Sequence, residues 1–441
     1  MKRRLALLLI AVLALGAAAF AFGFAGTGAE EGSVTRTAEP VTVAYADLTS
    51  TGEETNAYAA LFSIEHFEDA AGNTFSEIEI YKDTGESDTA WLLLPENVQS
   101  VTGVPEGVNV MTWQDRQNIM VSSASTMALI NAMGALGRVP MTTADTTWYI
   151  QDIQDAIDDG TVVEVGKYSA PDYEQILTIG EEKHVTFAVF STMIDYVPDV
   201  YKQLTGTCGL RIMRDQSSSE NHPLARTEWI KIYGEIFNMR EESDAVFNAQ
   251  DKVLKETTAK IDIPEAERKS VLIFYTAQDG VFNVRNAADY VTELVSLAGG
   301  KQVAPIGVGS SSSNTKMTQE EFIEACSEAD YILYNWTSGA SGVADETLQG
   351  LIDARLGEWF KDFKAYKEGN VWRTSNDFYQ KMDKMGEMVA DIYSMLYDEN
   401  VSDSLTYVNR LTDKAEDAGD TGEGEAGCSG AIVAASVTSL A

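Results

Sequence analysis

The strongest constraint on this chain is a pattern that occurs twice: short apolar runs alternate with stretches whose apolar residues recur at helical spacing, between residues 108 and 237 and again between 266 and 400. Alternation of this kind builds parallel-type sheets covered by helices. In the first block, strand-like runs stand at 109–112, 119–122, 162–165, 185–190 and 210–213, and 123–136 opens on small polar residues and continues at helical spacing. Residues 223–237 carry apolar side chains at helical spacing, with Pro223 suited to a first helical position. In the second block the strands are expected at 270–275, 331–335 and 371–373. Its helices are expected at 287–298, 319–327, 344–365 and 381–397. Between the blocks, 241–261 reads as one helix, roughly 30 Å long at 1.5 Å per residue. The predicted fold class is therefore α/β, with two Rossmann-like lobes joined by a long α-helix.

Ahead of the lobes, residues 30–107 place turn-rich stretches (50–52, 69–73 and 82–88) between strand-like runs such as 41–45 and 91–94, which predicts a small β-rich N-terminal extension. The expected organisation is a signal peptide over 1–29, the extension over 30–107 and an N-terminal lobe over 108–237. A connecting helix over 238–265, a C-terminal lobe over 266–400 and an acidic linker with a short apolar tail over 401–441 complete it.

Lys2, Arg3 and Arg4 precede an apolar run over 5–24 and small residues up to Ala29, the pattern of an export signal. It is either cleaved near Ala29 or kept as a membrane anchor, and both outcomes place the protein in the periplasm or at the cell surface. A formal charge of −36, from 68 acidic against 32 basic residues, excludes nucleic acid as a main partner. No cysteine follows the signal, and Cys208 and Cys326 fall in different lobes, where they are expected as buried free thiols. Cys428 heads the tail beyond an acidic stretch over 413–425 that reads as disordered, and offers an attachment point for surface anchoring.

The chain has only His66, His184 and His222 as histidines, none at metal-ligand spacing, and it lacks G-x-S-x-G, P-loop and H-E-x-x-H motifs. A protein-built metal site and most hydrolytic mechanisms are thereby disfavoured, and no enzyme activity is expected.

The stretch Glu220-Asn221-His222-Pro223-Leu224-Ala225-Arg226-Thr227-Glu228-Trp229-Ile230-Lys231 resembles an E-x-HPLGR-x-EWIK segment of one branch of the helical-backbone substrate-binding proteins that serve iron-chelate and cobalamin importers. The segments 166–177, 290–300 and 362–388 are similar to the same branch, in the same order, so that the resemblance covers residues 108–400. Ala225 stands where the branch usually has glycine. The resemblance implies capture of an iron-siderophore, haem or cobalamin between the lobes and delivery to an ABC permease dimer with its ATPase, by a monomer that needs no cofactor because the metal arrives inside the chelate. It further implies permease docking through one carboxylate on each lobe, which by order correspond to Glu174 and to Glu320 or its neighbour Glu321. Directional carboxylate–guanidinium pairs suit such docking, and ordinary solvated residues at helix N-termini are the alternative.

Ligand contacts are expected from loops after strand ends. These give Ser123, Tyr168, Thr192, Met193 and Ser218 in the first lobe and Arg285, Trp336 and Phe378 in the second. The aromatics are expected to stack on a planar macrocycle and Arg285 to pair with ligand carboxylates. Two rival readings share the scaffold: a metallocofactor enzyme or chelatase, and a surface haem scavenger without transport.

Overall fold

The computed structural model describes residues 41–413, apart from 304, 311, 340–342, 344 and 345. The expected signal segment and the Cys428 tail lie outside the described residues. Among those residues, no helix is long and apolar enough to cross a membrane.

The extension is a five-stranded sheet in the order Thr49–Glu53, Phe62–Glu68, Thr74–Tyr81, Ser87–Leu93, Val108–Met111, beside a parallel pair made by Val41–Ala44 and Val98–Thr102. Its central hairpin is in register from Phe62↔Ile80 to Glu68↔Thr74, so alternation buries Phe62, Ile64, Ile78 and Ile80 on one face. The turn is closed by Asp69 Oδ1, which accepts from the amides of Ala71 and Asn73, both at 2.9 Å. Two sequence expectations are corrected here. Residues 50–52 lie within an edge strand, not a turn, and the 109–112 run pairs in parallel with Ser87–Leu93 in the extension. An isolated apolar run carries no mark of which sheet it joins; pairing decides that.

The first lobe is a parallel sheet in the order Val163–Glu164, Met141–Thr142, Met120–Ser122, Phe187–Ser191, Arg211–Asp215. The chain then forms two helices, Pro223–Glu228 and Ile230–Phe237, where the sequence predicted one. Ala225 is fully buried inside the first of them, in ordinary helical backbone, so alanine is no handicap there. The connecting helix runs from Arg240 to Thr258.

The second lobe has seven strands. The path is Asn314–Met317, Phe282–Arg285, Ser270–Thr276, Tyr331–Tyr334, Val371–Thr374, Val408–Arg410, with Lys301–Gln302 paired to Ser270–Thr276. The core strands 270–276, 331–334 and 371–374 are parallel, and the pairs 270–276 with 282–285, 282–285 with 314–317, and 371–374 with 408–410 are antiparallel. The strand at 408–410 corrects the assignment of everything after residue 400 to a tail; Tyr407, Val408 and Leu411 are buried in this lobe. The expected 344–365 helix is instead a series of short turns, including Leu348–Leu351 and a five-residue π-helix Ile352–Leu356 that ends at Gly357 in the left-handed region (φ +88°). A left-handed glycine ends a helix cheaply.

The connecting helix is pressed against the Met385–Tyr397 helix. A Cβ on Gly386 would collide with the backbone of Gln250, and one on Gly234 with the side chain of Ser243. Gln250 and Glu387 then exchange two hydrogen bonds, Gln250 Nε2 donating to Glu387 Oε1 at 2.7 Å and the Glu387 amide donating to Gln250 Oε1 at 3.1 Å. Glycine here serves close approach of two backbones. Cys326 is buried and Cys208 only half-buried; both are unbonded thiols.

Candidate functional site

A cavity of about 650 Å³ opens between the lobes. The first lobe contributes Thr146, Thr147 and Tyr149 from the loop after the Met141–Thr142 strand. The loop is aimed by its neighbours. Thr142 Oγ1 donates to the Val121 carbonyl and accepts from the Ala144 amide, while buried Trp148 and Ile150 pin the segment and leave Tyr149 at 45% exposure.

The second lobe supplies Arg285 and Tyr290, the turn Asn335–Ser338 with Glu346, and Asn376, Phe378 and Tyr379. The lobes touch at the base of this space. Gln380, fully buried, donates to the Thr147 carbonyl at 2.7 Å and accepts from the Tyr149 amide at 3.0 Å, and Thr146 Oγ1 and Tyr379 Oη lie 2.7 Å apart.

Arg285 and Glu346 are the charged residues among those lining the cavity. The Arg285 Nη1 is 3.3 Å from Asp289, its guanidinium lies 5.2 Å from the Tyr275 ring centroid, and its Nε is buried without a hydrogen-bond acceptor. Asp289 also caps the Tyr290–Leu297 helix by accepting from the Val291 amide, and burial raises its pKa against the opposing pull of Arg285 and Arg226. On the far side Arg373 stacks over Trp336 at 4.6 Å and pairs with Glu346 at 3.0 Å.

Of the residues expected to bind ligand, Arg285, Trp336 and Phe378 line this cavity. Trp336 and Phe378 are only 4% and 2% exposed, whereas Tyr149 and Tyr379 are 45% and 37% exposed. The structure does not bring the five first-lobe residues to this cavity. Ser123 caps the Ala124–Ala132 helix by accepting from the Thr126 amide, and Tyr168 packs against the first-lobe core. Thr192 and Met193 sit on the short Thr192–Tyr196 turn, with Met193 exposed, and Ser218 gives its carbonyl to Arg226.

The HPLAR-type segment proves to be a clamp. Glu228 is fully buried and accepts from three successive amides, Ala57, Tyr58 and Ala59, at 2.7 to 2.8 Å. Glu220 accepts from the Ala60 and Leu61 amides and from Trp229 Nε1. His222 stacks on Tyr58 at 4.3 Å and its Nδ1 accepts from the Leu224 amide. Arg226 lies over the ring of Tyr290 at 4.4 Å, linking the segment to the cavity wall. Burial lowers the Arg226 pKa, against the support of Tyr290, Asp289 and Glu220.

Glu174 is exposed on the first turn of the Tyr173–Lys183 helix, after the Asp172 cap. Glu320 and Glu321 are both exposed on the first turn of Gln319–Cys326. They differ in what holds them. Glu321 closes a capping box with Thr318, accepting from its amide at 2.8 Å, and those bonds lower its pKa.

Residues 202–377 match the family model of periplasmic binding proteins. A periplasmic binding protein of Veillonella parvula superimposes with a TM-score of 0.51 at 19% identity, over 73% of this chain and 97% of that one. A periplasmic haem-binding protein of Pseudomonas aeruginosa does so with a TM-score of 0.50 at 13% identity, over 67% and 98%. These likenesses establish the two-lobed binding-protein fold. An uncharacterized lipoprotein of Methanocaldococcus jannaschii is 25% identical over 290 residues, 64% of this chain; the match spans 65% of that relative's length.

Proposed function

We propose that this protein works outside the cytoplasmic membrane, captures an already chelated metal such as a ferric siderophore, haem or cobalamin in the interlobe cavity, and delivers it to an ABC permease dimer with its ATPase. The observation that carries the reading is the cavity itself: both lobes contribute walls, and the Arg285 guanidinium and the two exposed tyrosines Tyr149 and Tyr379 line it. A guanidinium with spare donors suits anionic ligand oxygens, and the phenol rings suit a flat or aromatic chelate. No imidazole or sulfur donor is among the residues lining the cavity, which fits a metal whose coordination shell the ligand completes.

Docking falls to Glu174 and Glu320. Glu321 spends its carboxylate on the helix cap, whereas Glu320 beside it is exposed. The deciding experiment is absorbance and fluorescence titration of the purified monomer with haem, cobalamin and ferric siderophores. Saturable one-to-one binding of one class, weakened at least tenfold by Arg285→Ala, is expected. Failure of all three classes to bind would overturn the reading.

A further inference from the structure

The proposed function leaves unused a polar cluster at the seam between the β-rich extension and the first lobe. Glu54 follows the edge strand Thr49–Glu53, His66 lies on the neighbouring Phe62–Glu68, and Glu235 projects from the Ile230–Phe237 helix. One donor atom from each comes within 4.8 Å of the others, and His66 Nε2 is 4.0 Å from Glu235 Oε1. The strand pairing shifts register between Ser50 and Gly52, beside the Gly52↔His66 pair. Bulges of this kind re-aim side chains and gather near sites.

The cluster has the orientation of a ligand set. His66 Nδ1 is 3.3 Å from Ser76 Oγ, which in turn donates to Glu235 Oε2 at 2.7 Å. With Nδ1 carrying the proton toward Ser76, the Nε2 lone pair faces the cluster, the arrangement a metal-bound histidine needs. Glu235 is 5% exposed, and its Oε1 is buried with no hydrogen-bond donor directed at it.

A cation already sits at this point: Arg240 reaches all three residues, its Nη2 lying 3.9 Å from Glu54 Oε2. Arg240 Nε is 2.7 Å from Glu235 Oε1 without making an aligned hydrogen bond, and its Nη2 reaches His66 Nε2 at 3.0 Å. Arg240 is the first residue of its helix, where the dipole disfavours positive charge, and its side chain is 51% exposed. A cavity of about 460 Å³, lined by His66, Glu235 and Arg240 among others, gives room for the guanidinium to swing and for water to enter.

We propose that Glu54, His66 and Glu235 bind one divalent transition-metal ion of the zinc type, with Arg240 as a built-in cation that the metal displaces, so that the ion staples the extension to the first lobe. Two carboxylates and one imidazole leave a coordination position for water, a donor set at home with zinc. The ligand atoms need to draw in by roughly an ångström, since donors about 2.0–2.2 Å from zinc lie a little over 3 Å apart. Lys231, 2.8 Å from Glu54, keeps that carboxylate in place.

The test is calorimetric titration of EDTA-stripped full-length protein with zinc chloride. One equivalent is expected to bind, at least ~10-fold more weakly in His66→Ala and more tightly in Arg240→Ala, where the competing cation is gone. Glu54→Gln, which keeps the shape of this partly buried side chain, is expected to weaken binding as His66→Ala does, with an unchanged circular dichroism spectrum. Absence of a stoichiometric site, or zinc binding indifferent to both His66→Ala and Glu54→Gln, overturns the proposal and assigns any zinc uptake to the acidic surface.

Discussion

Gln380 holds Thr147 and Tyr149 at once: its amide nitrogen donates to the carbonyl of the first at 2.7 Å and its oxygen accepts from the amide of the second at 3.0 Å. One buried side chain from the second lobe therefore fixes the first-lobe loop that lines the cavity. Gln380→Ala leaves two backbone groups unsatisfied, at a cost of about 1–3 kcal/mol each if they stay dry. The expected outcome is at least tenfold weaker ligand binding with a nearly unchanged radius of gyration by small-angle scattering, because the loop loosens while the lobes stay joined.

Glu228 holds the extension by three backbone amides. Hydrogen bonds to a charged acceptor contribute about 1.5–3 kcal/mol each, and a buried carboxylate cannot be trimmed without orphaning its donors. Glu228→Ala is expected to lower stability by roughly 3 kcal/mol or more in urea unfolding and to open the 56–61 segment to limited proteolysis. Glu65→Ala, at a half-buried position on the same extension, is expected to leave that segment protected.

His222 gives the chain an acid sensitivity. Burial lowers its pKa, with Glu228 pulling the other way. The unfolded chain, with an ordinary value near about 6.5, then binds more protons than the folded one. Its contribution is full above that ordinary value and is lost as pH falls through it toward the lowered folded value. Unfolding free energies measured from pH 5 to 7.5 should fall with acid more steeply in the parent than in His222→Gln.

Docking and capping should separate by mutation. Glu174→Ala with Glu320→Ala is expected to abolish permease pull-down at both low and moderate salt while leaving chelate affinity unchanged. Glu321→Ala should instead cost about 1 kcal/mol of stability through the lost cap and leave pull-down intact. Lost chelate affinity in the double variant would place these glutamates in ligand binding.

How far these features could be read in advance varies with their physics. The strands at 270–276 and 331–334 and the connecting helix announced themselves because long apolar or periodic runs survive any tertiary context. The Met141–Thr142 strand did not: two residues carry no period, so the loop beyond it, which holds Thr146, Thr147 and Tyr149, went unnoticed in favour of loops after longer strands. Trp336 and Phe378 line the cavity, but how little of each ring is exposed depends on packing from other segments. Gln380 had no signal at all, being an ordinary polar residue whose partners lie 231 and 233 positions away. The Glu220 and Glu228 pair was visible as a motif, yet its grip on residues 57–61 needed the extension's own path.

The glycine that lets the connecting helix meet the Met385–Tyr397 helix backbone to backbone has a consequence for signalling. Two rods in such contact cannot slide past one another, because the nearest alternative register would drive a side chain into a peptide group. The lobes are thus joined by something closer to a weld than a hinge. A receptor scanning loaded and empty forms would meet nearly the same outline in both, and what it could tell apart is the texture of the cleft mouth: whether Tyr149 and Tyr379 are bare or covered.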